Sequence, residues 1–101
     1  MVAMTVPNPC FSLGHIIATP TALEALNELN HSPLALLNRH RRGDWGDLDN
    51  EDIQANNDAL MDGSRLLSAY IIQNTKFWVI TEAEDDNGER AATTILLPSE
   101  Y

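Results

Sequence analysis

The chain predicts an α+β fold, with helices packed on a C-terminal three-stranded antiparallel meander. Three observations predict it. Leucines recur at helical intervals between residues 22 and 41, behind residues that start helices. A polar segment opening at Asp49 is closed by Gly63. Beyond it come three apolar or β-branched runs with short connections, Arg65–Ile72, Lys76–Glu82 and Ala91–Leu97.

Residues 1–12 carry Pro7 and Pro9 without a period and read as an irregular arm. Residues 13–101 then form a single domain, since 101 residues allow one modest core. Leu13–Ala18 is short and apolar and is open to being an extra N-terminal strand, with Gly14 weakening it. Thr21 and Glu24 have capping-box spacing and set a first helix at about 22–30. Ser32 before Pro33 starts a second helix, about 33–41, which Gly43 ends.

The loop Gly43-Asp44-Trp45-Gly46-Asp47 puts a tryptophan between two glycines, and Trp45 is expected to plug the core. Asp49 opens a third helix, about 50–62, with Glu51 and Asp52 at the positive end of its dipole. Ile53, Asn56, Asn57 and Leu60 form its inner stripe. A half-buried amide needs a partner, so Asn56 or Asn57 is expected to tie this helix to the Asp44–Trp45 loop. In the meander, about 65–72, 76–82 and 91–97, alternation puts Leu66, Ser68, Tyr70 and Ile72 on one face.

The net charge is −9. That disfavours direct binding to nucleic acid or an anionic membrane, which needs a positive field. It suits a protein that occupies a basic groove in place of nucleic acid. Cys10 is the single cysteine, so no internal disulfide can form, which fits a reducing compartment. No secretory signal or spanning segment is evident, and a cytoplasmic location is expected.

His15, His31 and His40 have no metal-ligand spacing to each other, and no phosphate loop or nucleophile elbow is present. No metal or cofactor is expected. One set could carry chemistry: His40 as acid or base, Arg39 or Arg41 as phosphate clamp, and hydroxyls from Ser68, Tyr70, Thr93 and Thr94. It would make a metal-independent ribonuclease, similar in outline to the barnase, EndoU, colicin and RelE-like nucleases. The plainer reading of the same stretch is structural. Arg39, His40, Arg41 and Arg42 complement the negative end of their helix, and Asp44, Trp45 and Asn57 complete the cluster.

A closer likeness runs through Leu36-Leu37-x-Arg39-His40-x-x-Gly43-Asp44-Trp45-Gly46, Ser68-Ala69-Tyr70, Trp78-Val79-Ile80-Thr81-Glu82 and Thr93-Thr94-Ile95-Leu96-Leu97-Pro98-x-Glu100-Tyr101. With these strings the chain resembles a family of small uncharacterised proteins of bacterial plasmids and integrative elements. Some of them carry restriction-related names assigned by gene neighbourhood. The resemblance implies a mobile-element context and no established activity. It departs at Glu84–Glu89, which lengthens a turn that is short in the family pattern. With the acidity, it suggests a counter-defence protein, anti-restriction or anti-CRISPR. Such a protein would present Asp49, Glu51, Asp52, Glu84, Asp85, Asp86 and Glu89 to a host nucleic-acid-handling complex.

Overall fold

The computed structural model describes residues 11–101. Most of the expected arm, with Pro7, Pro9 and Cys10, lies outside the described residues. The elements run β1 (His15–Ala18), α1 (Pro20–Glu28), α2 (Pro33–Arg41), α3 (Asn50–Asp62), β2 (Leu66–Ile72), β3 (Thr75–Thr81) and β4 (Ala92–Leu96). A 3-10 turn at Pro98–Glu100 follows.

The class is α+β, but the sheet is four-stranded and mixed, in the order β1-β4-β3-β2. Strands β2, β3 and β4 are antiparallel neighbours, while β1 pairs parallel to β4. The three-stranded meander is therefore corrected by a fourth strand. A local pattern reveals a strand but not its partner, and this pairing joins opposite ends of the chain. Gly14 makes the approach possible: its φ is +65°, and a Cβ there would collide with the carbonyls of Arg90 and Ala91.

Helix starts follow local chemistry. Thr19, not Thr21, caps α1, its hydroxyl accepting from Ala22 N–H at 3.1 Å, and Pro20 takes the first helical position. The helix thus begins two residues before the expected one, because a cap followed by proline outcompetes the capping box. Ser32 caps α2 and Asp49 caps α3, as their sequences imply. Left-handed glycines follow both helices, Gly43 at φ +83° and Gly63 at φ +82°.

All three helices lie on one sheet face. There Leu26, Leu36, Leu37, Tyr70, Phe77, Val79 and Ile95 form the main core. A second cluster joins Trp45, Ala59 and Leu66 under α3. On the opposite face Tyr101 folds back, edge-on to Trp78 at 5.5 Å and beneath the Arg65 guanidinium. Ile17 and Ile71 stay exposed there.

The two sheet edges differ. On β2, Asn56 of α3 acts as a strand, donating to Leu67 C=O at 2.6 Å and accepting from Leu67 N–H at 3.1 Å. The loop continues this cover: Ala69 N–H donates to Trp45 C=O, and Asp47 N–H donates to Ala69 C=O. Gly46 lies against Ala69 and the Tyr70 ring, where a Cβ would not fit.

Candidate functional site

Two features gather the residues singled out by sequence: a buried imidazole–hydroxyl chain and an exposed acidic ridge.

The first is built by α2 and the inner sheet face. His40 is one turn beyond Leu36 and Leu37, so it enters the core with them and is fully buried. Its Nδ1 lies 2.5 Å from Ser68 Oγ and its Nε2 lies 2.8 Å from Thr81 Oγ1. Thr81 Oγ1 is 2.7 Å from Thr93 Oγ1, which donates to Leu13 C=O at 2.7 Å.

That last bond orients the whole chain. A carbonyl only accepts, so Thr93 spends its proton on Leu13. Thr81 must then donate to Thr93, and His40 Nε2–H to Thr81. Nδ1 is left as acceptor for the Ser68 hydroxyl. Burial lowers the His40 pKa to about 3, helped by the charge of Arg90, so the ring is neutral at physiological pH. Phe11 and Trp45 enclose it edge-on, with centroids 5.1 and 5.8 Å away.

The nuclease set is divided by this arrangement. His40, Ser68 and Thr93 converge, but all three are buried and joined to one another. Arg39 sits at the surface, bonded to Asp44 at 2.7 Å and stacked over the Tyr70 ring. This pair raises the Arg39 pKa and holds the Asp44 carboxyl below its ordinary range, chiefly through their hydrogen bond. Tyr70 is buried and donates to Asp44 C=O at 2.7 Å, and burial pushes its phenol upward. Thr94 is on the other sheet face from Thr93. Arg41 and Arg42 are exposed, and Arg42 donates to Asn38 C=O at 3.0 Å. The group holds α2, β2, β3 and β4 in register and presents no exposed base.

Of the two asparagines, Asn57 meets the loop, accepting from Trp45 Nε1–H at 3.2 Å, while Asn56 clamps β2. Two residues of the polar core went unrecognised. Thr81 reads as an ordinary strand threonine. Arg90, between an acidic loop and a strand, reads as a solvated charge. Its guanidinium is instead buried, donating to Ser64 C=O at 2.8 Å, Glu82 C=O at 3.0 Å and Ala59 C=O at 3.2 Å. A single cation in an otherwise acidic segment was the available signal.

The acidic ridge is the second feature. Asp49, Glu51, Asp52, Glu84, Asp85, Asp86 and Glu89 are all exposed. Glu51, Asp58 and Asp62 share one face of α3, within about 40° of one another at 100° per residue. The helix meets the acidic hairpin at Gly63, whose C=O accepts from Glu84 N–H at 2.8 Å. The hairpin is ordered: Glu84 bridges Arg90, and the Asp85 carboxylate accepts from the N–H groups of Asn87 and Glu89. Among the described residues the ion pairs are Arg39–Asp44 and Arg90–Glu84, the latter at 3.7 Å, so the other ridge carboxylates have no cation. Among these residues, too, no helix is long and apolar enough to cross a membrane. Compared with family models, curated proteins and solved structures, the chain matches none of them.

Proposed function

We propose that this protein is a mobile-element-encoded interaction protein of the counter-defence kind. Its acidic ridge would dock on a basic, nucleic-acid-binding surface of a host complex such as a restriction or CRISPR effector. The observation that carries this reading is where the acids stand. Asp58 and Asp62 occupy the last turns of α3, the negative end of its dipole, and that last turn has no basic residue. Acid there faces the negative end of the helix dipole, with the Asp62 carboxylate held below its ordinary range by Ser64, whose N–H it accepts from at 2.8 Å. Glu51 shares their helix face, Asp52, Asp86 and Glu89 are exposed as well, and none of these four pairs with a cation among the described residues.

The α3 segment spans about 20 Å at 1.5 Å per residue, and the ordered hairpin lengthens it. Carboxylates held at fixed positions along such a length can replace phosphates at Lys/Arg sites with little ordering cost. The mobile-element context rests on the resemblance in sequence. The ribonuclease alternative loses its support, because its base is buried, neutral and bonded through both ring nitrogens.

The test is capture from a host extract, followed by elution with duplex DNA. A nucleic-acid-binding complex should bind at low salt, come off with DNA, and lose affinity as the Debye length falls from about 10 Å to about 3 Å. The variant Glu51→Gln/Asp52→Asn/Asp86→Asn/Glu89→Gln removes charge without touching Asp85 or Arg90. Its affinity should drop at least about tenfold. Undiminished capture by this variant sinks the proposal.

A further inference from the structure

Sheet edges invite strand addition, and this protein treats its two edges differently. On β2 the outward backbone groups of Leu67 and Ala69 are covered by Asn56, Trp45 and Asp47. On β1 the described residues build nothing comparable. His15 N–H donates to Ala91 C=O and Thr19 N–H to Ile95 C=O, both at 3.0 Å, so alternate residues face β4. Ile16 and Ala18 face outward, and their backbone groups have no partner among the described residues. The Ile16 side chain is 54% exposed and that of Ile17 49%.

We infer that the β1 edge is a self-association surface, paired with β1 of a second copy in antiparallel fashion. Three features favour a second copy as occupant. First, the pairing strand itself is uncharged, since residues 1–23 contain no Asp, Glu, Lys or Arg, and the charges that border it are of both signs, Arg41 beside Ile16 and Asp85 and Glu89 beside His15. Second, the strand is self-complementary. The register that uses every outward group sets Ile16 opposite Ala18 of the other copy, large against small. Ile17 then faces its own counterpart on the open sheet face, in the close non-hydrogen-bonded pair. Third, the β2 edge is covered at Leu67 and Ala69, which leaves Ile71 as its one outward strand residue without a backbone partner among the described residues. Pairing through β1 therefore gives a closed two-fold dimer of eight strands rather than a filament.

A four-residue strand pair covers less than the roughly 800 Å² per partner of a standard stable interface. The dimer should be weak and reversible, with Kd of about 10–100 µM. Salt should tighten it by screening repulsion between the acidic bodies, the reverse of its effect on the proposed host complex. The two ideas therefore fail independently.

Sedimentation velocity across protein concentration tests the inference. Wild type should shift from monomer to dimer. Ile16→Pro removes an outward N–H that β4 does not use, so it should stay monomeric with near-normal melting. Should that variant unfold, Ile17→Lys supplies the answer by setting like charges face to face, and it should weaken the dimer at least about tenfold. Ile71→Lys, equally exposed but on β2 at the far side of the sheet, should dimerise like wild type. A wild-type protein still monomeric at about 1 mM overturns the inference. So does an Ile17→Lys effect matched by Ile71→Lys.

Discussion

A single imidazole illustrates what burial does to chemistry. In water a histidine titrates near neutrality and is a natural acid–base candidate. His40 has the same ring, but burial and Arg90 lower its pKa from 6.5 to about 3. The sign of the stability effect follows. Between those values the unfolded chain binds a proton that the folded chain refuses, so stability falls as pH drops through this window. The slope from this residue is about 1.4 kcal/mol per pH unit, with no contribution above about pH 6.5. Urea titrations from pH 7 to pH 4 should show it, and His40→Phe, even if less stable overall, should flatten the dependence. An equally steep decline in the variant would refute the assignment. Helical spacing from Leu36 and Leu37 accounts for the burial of His40, but no local pattern shows that Thr81, 41 positions away, completes the site. Arg90 was hidden for the same reason: its carbonyl partners come from three separate segments.

At the scale of elements, caps and turns were largely legible because they are local. Ser32-Pro33, Asp49, Gly43 and Gly63 mark their boundaries in the sequence and in the fold. The β2–β3 turn was also legible, although Gln73 and Asn74 both adopt positive φ, 47° and 71°, as a tight hairpin demands. What α3 does for the sheet was legible only in part. Its asparagines were expected to meet the loop, and Asn57 does, whereas Asn56 serves as a substitute strand at the β2 edge. Asn56→Ala should cost about 2 kcal/mol or more, because it strands both backbone groups of Leu67. Asn56→Asp should be no better, since a carboxylate accepts from Leu67 N–H but repels its C=O. Asn57→Ala, which loses one half-exposed bond, should cost about 1 kcal/mol. Chemical denaturation of the three variants orders them. Equal losses at positions 56 and 57 would contradict the clamp.

For the whole molecule, charge matters more than any pair. Fifteen acidic residues against six basic ones act within a radius of gyration of 13.9 Å. At about 10 mM salt the Debye length is about 30 Å, so each carboxylate feels the rest, while at about 1 M it is about 3 Å. Sodium chloride should therefore raise the melting temperature by several degrees over that range, as self-repulsion is screened. A flat or falling melting temperature in calorimetry would mean that local ion pairs outweigh the net charge. This acidity was fully legible in composition. The continuity of α3 with the 84–89 hairpin was not, because it depends on how Gly63 meets Glu84.

The one-way order of the buried hydrogen bonds has a further consequence. Every proton position in the row from Ser68 to Thr93 is dictated by the carbonyl of Leu13, which stands outside the row and before the first strand. Reversing the row would point two oxygen lone pairs at each other, so it has one closed setting. Without Leu13 in place, Thr93 is free to turn, and the imidazole can carry its proton on either nitrogen. The tautomer of one ring in the second helix is thereby a local record of whether the chain ahead of β1 has docked.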